Sequence, residues 1–244
     1  KHIKWFRDSS PYINAHRNKT FVLYLGGNAL ESANLPNIIA DIALLNSLGV
    51  RLVLVHGAAP QIDQQLENRS KSTETQNHRR ITPPELMKEI TQIVGGVRAN
   101  IEARLSMGLV NSPMHGSGIT AVSGNFVKAK PVGIVDGIDF QNTGITRRVD
   151  ARGICQQLDN GAIVLISPLG YSPSGETFNL DSTSLAVDVA TSLNAGKLIY
   201  FSGEPGFRDG AGEICSELQA DATSPAGMRP ADEYLFSLTS QACN

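Results

Sequence analysis

The residues best placed to do chemistry sit where two apolar runs end in glycine: Phe21-Val-Leu-Tyr-Leu-Gly-Gly27 and Val50-Arg-Leu-Val-Leu-Val-His-Gly57. Glycine directly after a strand lets the backbone turn sharply and present its N–H groups to an anion. Two such loops at one edge of a parallel sheet predict a phosphate or nucleotide crevice built from Gly26, Gly27 and Gly57. Phosphoryl transfer there would want a cation, and the strand offers Tyr24 instead. His56 closes the second run; it either aims at a ligand or is an ordinary histidine satisfied at the sheet edge. Arg80 could hold a carboxylate bidentately or stand solvated in a polar loop. Asn179 could cap a helix opening at Asp181 or hydrogen-bond a ligand, and capping is the expectation.

Other chemistries find little support. Gly116-Ser-Gly118-Ile-Thr-Ala121 fits a dinucleotide fingerprint loosely, but Asn111-Ser-Pro113 stands where a strand belongs, so it reads as a turn before a strand. There is no Gly-Lys-Ser/Thr phosphate loop, and no paired histidines or Cys-x-x-Cys offer a metal site. Cys155, Cys215 and Cys243 are odd in number and lack metal-type spacing. They read as reduced thiols of a cytoplasmic protein. A net charge of −2 leaves no footprint for nucleic acid or an anionic membrane. No apolar run approaches the roughly 20 residues of a membrane span, and no signal peptide is visible.

The elements that must position these residues alternate between strand and helix, over a length that can bury a large core. The two glycine-ended runs do not alternate polar with apolar, so each predicts a strand buried on both faces. Between them, Asn34-Leu-Pro36 opens a helix carrying Ile38, Ile39, Ile42, Leu45 and Leu48, closed by Gly49. Lys1 to Asn18 reads as a helix bent or interrupted by Pro11. Pro60 to Asn68 reads as a short helix, and the polar stretch Arg69 to Arg80 as a hairpin or lid. Thr82-Pro-Pro-Glu85 reads as a capping box for a long helix to about Leu109, weakened or kinked at Gly95-Gly96. Short strands follow at Ile119–Val122 and Phe126–Val135, with a hairpin expected around Asn142-Thr-Gly144. Asp150 is expected to cap a helix ending at Asn160-Gly161. Ala162–Ser167, a turn through Pro173-Ser-Gly175, a helix Asp181–Asn194, a strand Lys197–Phe201 and a closing helix from Asp232 complete the chain. The fold class is α/β, a three-layer αβα sandwich on a mainly parallel sheet.

These pieces resemble the amino-acid kinase (carbamate kinase-like) family, and within it the kinase-like domain of the bacterial N-acetylglutamate synthases. The resemblance runs over nearly the whole chain and is carried by Ser10-Pro-Tyr-Ile-Asn-Ala-His-Arg17, Leu25-Gly-Gly27, Asp41 to Gly49, Arg51 to Gly57, Pro60-Gln-Ile-Asp63, Ala103-Arg-Leu-Ser106, Val122-Ser-Gly-Asn-Phe126 and Phe178-Asn-Leu180. It implies the first step of arginine biosynthesis, acetyl transfer from acetyl-CoA to glutamate. It also implies what is missing: acetylglutamate kinases place a lysine at Tyr24, an aspartate at Thr183 and a second lysine near Tyr234 to Leu238. Lys19 cannot substitute for the first, lying about 16 Å up the strand at ~3.3 Å per residue and on the other face. Arg80 and Asn179, in contrast, match positions that hold acetylglutamate. Asn28 and Ala59 depart from the synthase pattern, which has an acidic residue and an arginine there.

The resemblance therefore implies a kinase crevice without catalytic residues, regulating rather than catalysing. The first 18 residues would form an oligomerisation element bordering an L-arginine effector site, with Tyr12 as the contact, and residues 19–244 the kinase-like domain. Synthases of this type continue past the point matching Asn244 into an acetyltransferase domain of roughly 150 residues, where acetyl-CoA binds. No cofactor is expected in residues 1–244, and a homo-oligomer is. Two alternatives are an acetylglutamate kinase with atypical catalytic residues and a structural or partner-binding remnant.

Overall fold

A computed structural model describes residues 2–107, 118–201, 203, 206–209, 211–219 and 230–243. The chain opens with α1 (His2–His16), which continues through Pro11 as one helix. Proline frees the carbonyl four residues earlier, and Arg7 and Pro11 are both exposed, so that carbonyl can be satisfied by water. Next come β1 (Thr20–Leu25), α2 (Gly27–Glu31), α3 (Leu35–Ser47), β2 (Arg51–His56) and α4 (Ala59–Glu67). The short α2 was not expected; the chain turns helical at Gly27 itself, and the proline-led helix after it is separate. A small hairpin of β3 (Thr75–Gln76) and β4 (Arg79–Arg80) occupies the polar stretch.

A single 3₁₀ turn, Pro84–Leu86, then leads into α5 (Met87–Ser106). The expected capping box does not form. Thr82 is fully buried, and its backbone N–H donates to Thr143 Oγ1 at 3.1 Å while its own hydroxyl accepts from Asn179. Gly95 and Gly96 do not interrupt α5, because the helix is anchored on either side of them by buried Ile90, Val94, Ile101 and Leu105.

Beyond it lie β5 (Ala121–Ser123), β6 (Val127–Pro131), β7 (Ile134–Val135), β8 (Ile138–Asp139), β9 (Thr143–Val149), α6 (Ala151–Asp159), β10 (Ile163–Ile166), β11 (Leu169–Tyr171), β12 (Thr177–Leu180), α7 (Ser182–Ser192), β13 (Lys197–Phe201) and α8 (Pro230–Cys243). The hairpin expected at Asn142-Thr-Gly144 falls instead at Asp136-Gly137, between β7 and β8, where both residues adopt positive φ. Asn142-Thr-Gly144 leads into β9. Of the Gly116–Ala121 motif, Gly116 and Ser117 lie outside the described residues, and Ala121 opens β5.

The main sheet runs β13-β1-β2-β10-β5 with every pairing parallel. Strand alternation divides its core. Phe21, Leu23, Leu25, Leu52, Leu54, Ile163 and Leu165 pack with Ile38, Ile39 and Ile42 of α3 and with Ile101 and Leu105 of α5. On the other face Val22, Val53, Val55, Val164 and Ile166 meet Ile154 and Leu158 of α6 and Leu185, Ala186 and Val189 of α7. Burial on both faces is why these strands read as unbroken apolar runs. Tyr24 falls on the α7 face with Val22. A second layer of strands, the small closed barrel β11-β12-β9-β6, was not foreseen and sits at the edge of the crevice.

Candidate functional site

The crevice lies beyond the carboxyl ends of β1 and β2, where α2, α4 and α7 begin. The glycines at its floor are needed for close approach between loops rather than for a turn. None of Gly26, Gly27 and Gly57 has a positive φ. A Cβ on Gly27 would lie 2.4 Å from Pro60 Cδ, and one on Gly57 would lie 3.0 Å from the Gly27 nitrogen and 3.1 Å from the Tyr24 hydroxyl. The two loops and the tyrosine are packed so tightly that no side chain fits between them.

Tyr24 is anchored by hydroxyls. Its OH lies 3.1 Å from Ser182 Oγ, Thr183 Oγ1 donates to it at 3.5 Å, and its ring sits 5.0 Å from that of Tyr200. Tyr200 in turn donates its OH to the Thr183 carbonyl at 3.1 Å. From α8, Tyr234 donates to Asp181 Oδ2 at 3.0 Å and stacks on His78 of the hairpin, ring centroids 4.5 Å apart and 9° from parallel. Burial pushes all three phenols up, so they stay neutral at physiological pH. The cavity these groups line measures about 460 Å³, and no lysine or arginine lines it among the described residues. Asp181 is its carboxylate, and it also caps α7, accepting from the Ser184 backbone at 2.8 Å.

A second cavity of about 180 Å³ adjoins the first, between the start of α4, the β3–β4 hairpin and the end of β12. Arg79, Arg80 and Asn179 line it. Arg80 is not solvated. Its Nη1 binds Asp63 Oδ1 at 2.6 Å and Thr73 Oγ1, and its Nη2 reaches the Ala59 carbonyl at 3.4 Å, tying the hairpin to α4. Asn179 does not cap a helix, since Asp181 does. It sits buried in β12 and donates to Thr82 Oγ1 at 3.1 Å.

His56 is no ligand. It is fully buried, with Nδ1 donating to the Gly57 carbonyl at 3.0 Å and Nε2 accepting from Ser167 Oγ at 2.9 Å. Loss of hydration pulls its pKa down to about 4, so it is neutral across the physiological range. Tyr12 lies on α1, highly exposed, and lines neither cavity. The structure thus brings Tyr24, Gly26, Gly27, Gly57 and Thr183 to one cavity and Arg80 and Asn179 to the next, and it withdraws His56 into the core. Sequence reasoning missed Arg79, Tyr200 and the Asp181–Tyr234 pair. The Arg79-Arg80 doublet was a signal for the first; the other two come from elements far apart in the chain.

Comparison with known proteins places this geometry. The profile of the amino acid kinase family matches residues 19–230. The chain is 47% identical to the "Amino-acid acetyltransferase" of Azotobacter vinelandii over 99% of its own length and 57% of that protein's. It superposes on the N-acetylglutamate synthase of Neisseria gonorrhoeae, solved with coenzyme A and L-arginine, with a TM-score of 0.88 and 34% identity, covering 99% of this chain and 57% of that one. The carbamate kinase of Giardia shares the fold alone, at a TM-score of 0.52 and 17% identity over 75% of this chain and 72% of its own. The chain therefore spans a little over half the length of the curated relatives it matches. No described helix is long and apolar enough to cross a membrane, and the described residues hold no cluster of metal ligands.

Proposed function

The chain belongs to the amino acid kinase family, and from that premise we propose that it is the kinase-like portion of an N-acetylglutamate synthase that senses L-arginine and transfers no phosphoryl group. The observation that carries this is the chemistry of the larger cavity. Phosphoryl transfer depends on positioning and on neutralising the transferred charge. At the positions where the kinases of the resemblance place a lysine and an aspartate, this chain has Tyr24 and Thr183, bonded to each other. Where the second lysine belongs, Tyr234 is engaged with Asp181. The residues present fit a metal-bound nucleotide triphosphate poorly: among the described residues the lining offers one carboxylate, Asp181, whose Oδ2 already accepts two hydrogen bonds, and no lysine or arginine to meet the phosphates.

The regulatory reading is supported by the Neisseria relative, whose structure contains L-arginine. In this reading the whole protein transfers acetyl from acetyl-CoA to L-glutamate in the cytoplasm, and the acetyl-CoA site lies outside residues 1–244. Tyr12, exposed on α1, contributes to the arginine site, and α1 to contacts between copies of the chain.

Two measurements on the intact protein test the reading. A coupled assay with MgATP and N-acetyl-L-glutamate is expected to release no ADP above the blank; release that requires both compounds would overturn it. Isothermal titration with L-arginine is expected to show saturable binding, weakened in Tyr12→Ala. Absence of arginine binding would leave the chain a scaffold rather than a sensor.

A further inference from the structure

The tip of the β3–β4 hairpin holds a residue that its turn does not ask for. Asn77 and His78 join the two strands, and both take the left-handed backbone conformation, with φ of 49° and 62°. A two-residue hairpin with two such positions favours asparagine followed by glycine, since glycine adopts a positive φ without steric cost. Asparagine stands at 77, but histidine stands where glycine would serve the turn better. The offsetting contact lies outside the hairpin. The imidazole lies flat on the Tyr234 ring of α8, centroids 4.5 Å apart and planes 9° from parallel, and the Tyr234 hydroxyl donates to Asp181 Oδ2 at 3.0 Å. A side chain that weakens its own turn and stacks on a distant element is there for its ring.

We propose that His78 and Tyr234 form a clasp joining the hairpin to α8, so that the hairpin lifts from the crevice only when α8 loosens with it. The hairpin is held at two separate places. At its base, Arg80 ties it to α4 through Asp63 and the Ala59 carbonyl. At its tip, the stack ties it to α8 and, through Asp181, to the start of α7. A segment fixed at its base and caught at its tip can hinge on the first contact when the second opens. Its position gives that movement a consequence: Thr75 and His78 line both cavities, and Tyr234 and Leu235 line the larger one. His78 is exposed, so the stack meets water and can break without disturbing the core.

This inference depends neither on arginine sensing nor on the absence of phosphoryl transfer. Amide hydrogen exchange in the intact protein tests it, read separately in the hairpin at residues 75–80 and in α8. His78→Gly gives the turn its preferred residue, so a histidine serving the hairpin alone would leave α8 unchanged. With the clasp, exchange in α8 is expected to quicken about two- to tenfold, the range that one aromatic pair commands. Tyr234→Leu is expected to quicken exchange in the hairpin as well as in α8. In α8 the double variant is expected to match Tyr234→Leu, because the two rings make a single contact. His78→Phe keeps a ring that can stack and is expected to restore slow exchange in α8. Unchanged α8 exchange in His78→Gly, a further quickening in the double variant, or no recovery in His78→Phe would each overturn the proposal. Should Tyr234→Leu prove unstable, the glycine and phenylalanine variants at 78 decide.

Discussion

The floor of the crevice and its outer wall are built by different physics. The floor, from Tyr24 and the glycine loops to Thr183 and Tyr200, is neutral, tightly packed and linked by hydroxyls. The wall, from the β3–β4 hairpin to α4, is charged and tied by ion pairs near the surface. Among the described residues the larger cavity carries Asp181 and no lysine or arginine, whereas the smaller one is lined by Arg79, Arg80 and Asp63. Packing holds the floor and electrostatics hold the wall, so the two halves of one crevice keep their shape by separate means.

The contrast can be broken most forcefully at the floor. Gly27→Val places a Cβ against the rigid Pro60 ring, 2.4 Å away, and is expected to cost about 3 kcal/mol in urea unfolding. A loss under about 1 kcal/mol would show that the loops move apart easily and that the floor is not close-packed.

His56 gives the next effect, through pH. Its folded pKa of about 4 lies below the ~6.5 of an unfolded chain. Protonation therefore favours unfolding: the contribution is intact above about pH 6.5 and is lost as pH falls towards 4, amounting to about 2 kcal/mol by about pH 5. Urea midpoints measured across that range should fall in the unaltered protein and fall less in His56→Gln. Parallel slopes in the two proteins would mean that the imidazole is hydrated and belongs to the crevice after all.

The smallest effect should come from the wall. Asp63 is half exposed, so the Arg80–Asp63 pair contributes under about 1 kcal/mol to global stability. Arg80→Gln is expected to leave the melting temperature almost unchanged while amide exchange quickens in the hairpin at residues 75–80. Quickened exchange spreading through α5 or the main sheet would show the wall to be part of the core.

Much of the fold was legible because its signals are local. Unbroken apolar runs marked β1, β2 and β10, the first two ending in glycine, and Asp150 caps α6 as its position predicts, accepting from the Gly153 N–H at 3.1 Å. The barrel β11-β12-β9-β6 was not legible as a unit. Its strands are short, and β9 pairs β6 and β12 across intervening elements, so its closure is a matter of long-range register. Thr82 misled for the same reason: a threonine three residues before a glutamate reads as a cap until Thr143 and Asn179 arrive from 61 and 97 residues away to claim it.

By itself the sequence determined the layered parallel architecture and the identity of the residue at each crevice position, including tyrosine and threonine where charges were to be expected. Residue type fixes what chemistry a position can supply. Only the tertiary structure decided which residues meet. It buried His56, gave Asp181 rather than Asn179 the cap of α7, paired Tyr234 with Asp181, and committed Arg80 to Asp63 while leaving the Arg79 Nε without a partner. Those outcomes turn on desolvation and on hydrogen bonds between distant segments, neither of which exists until the chain has folded.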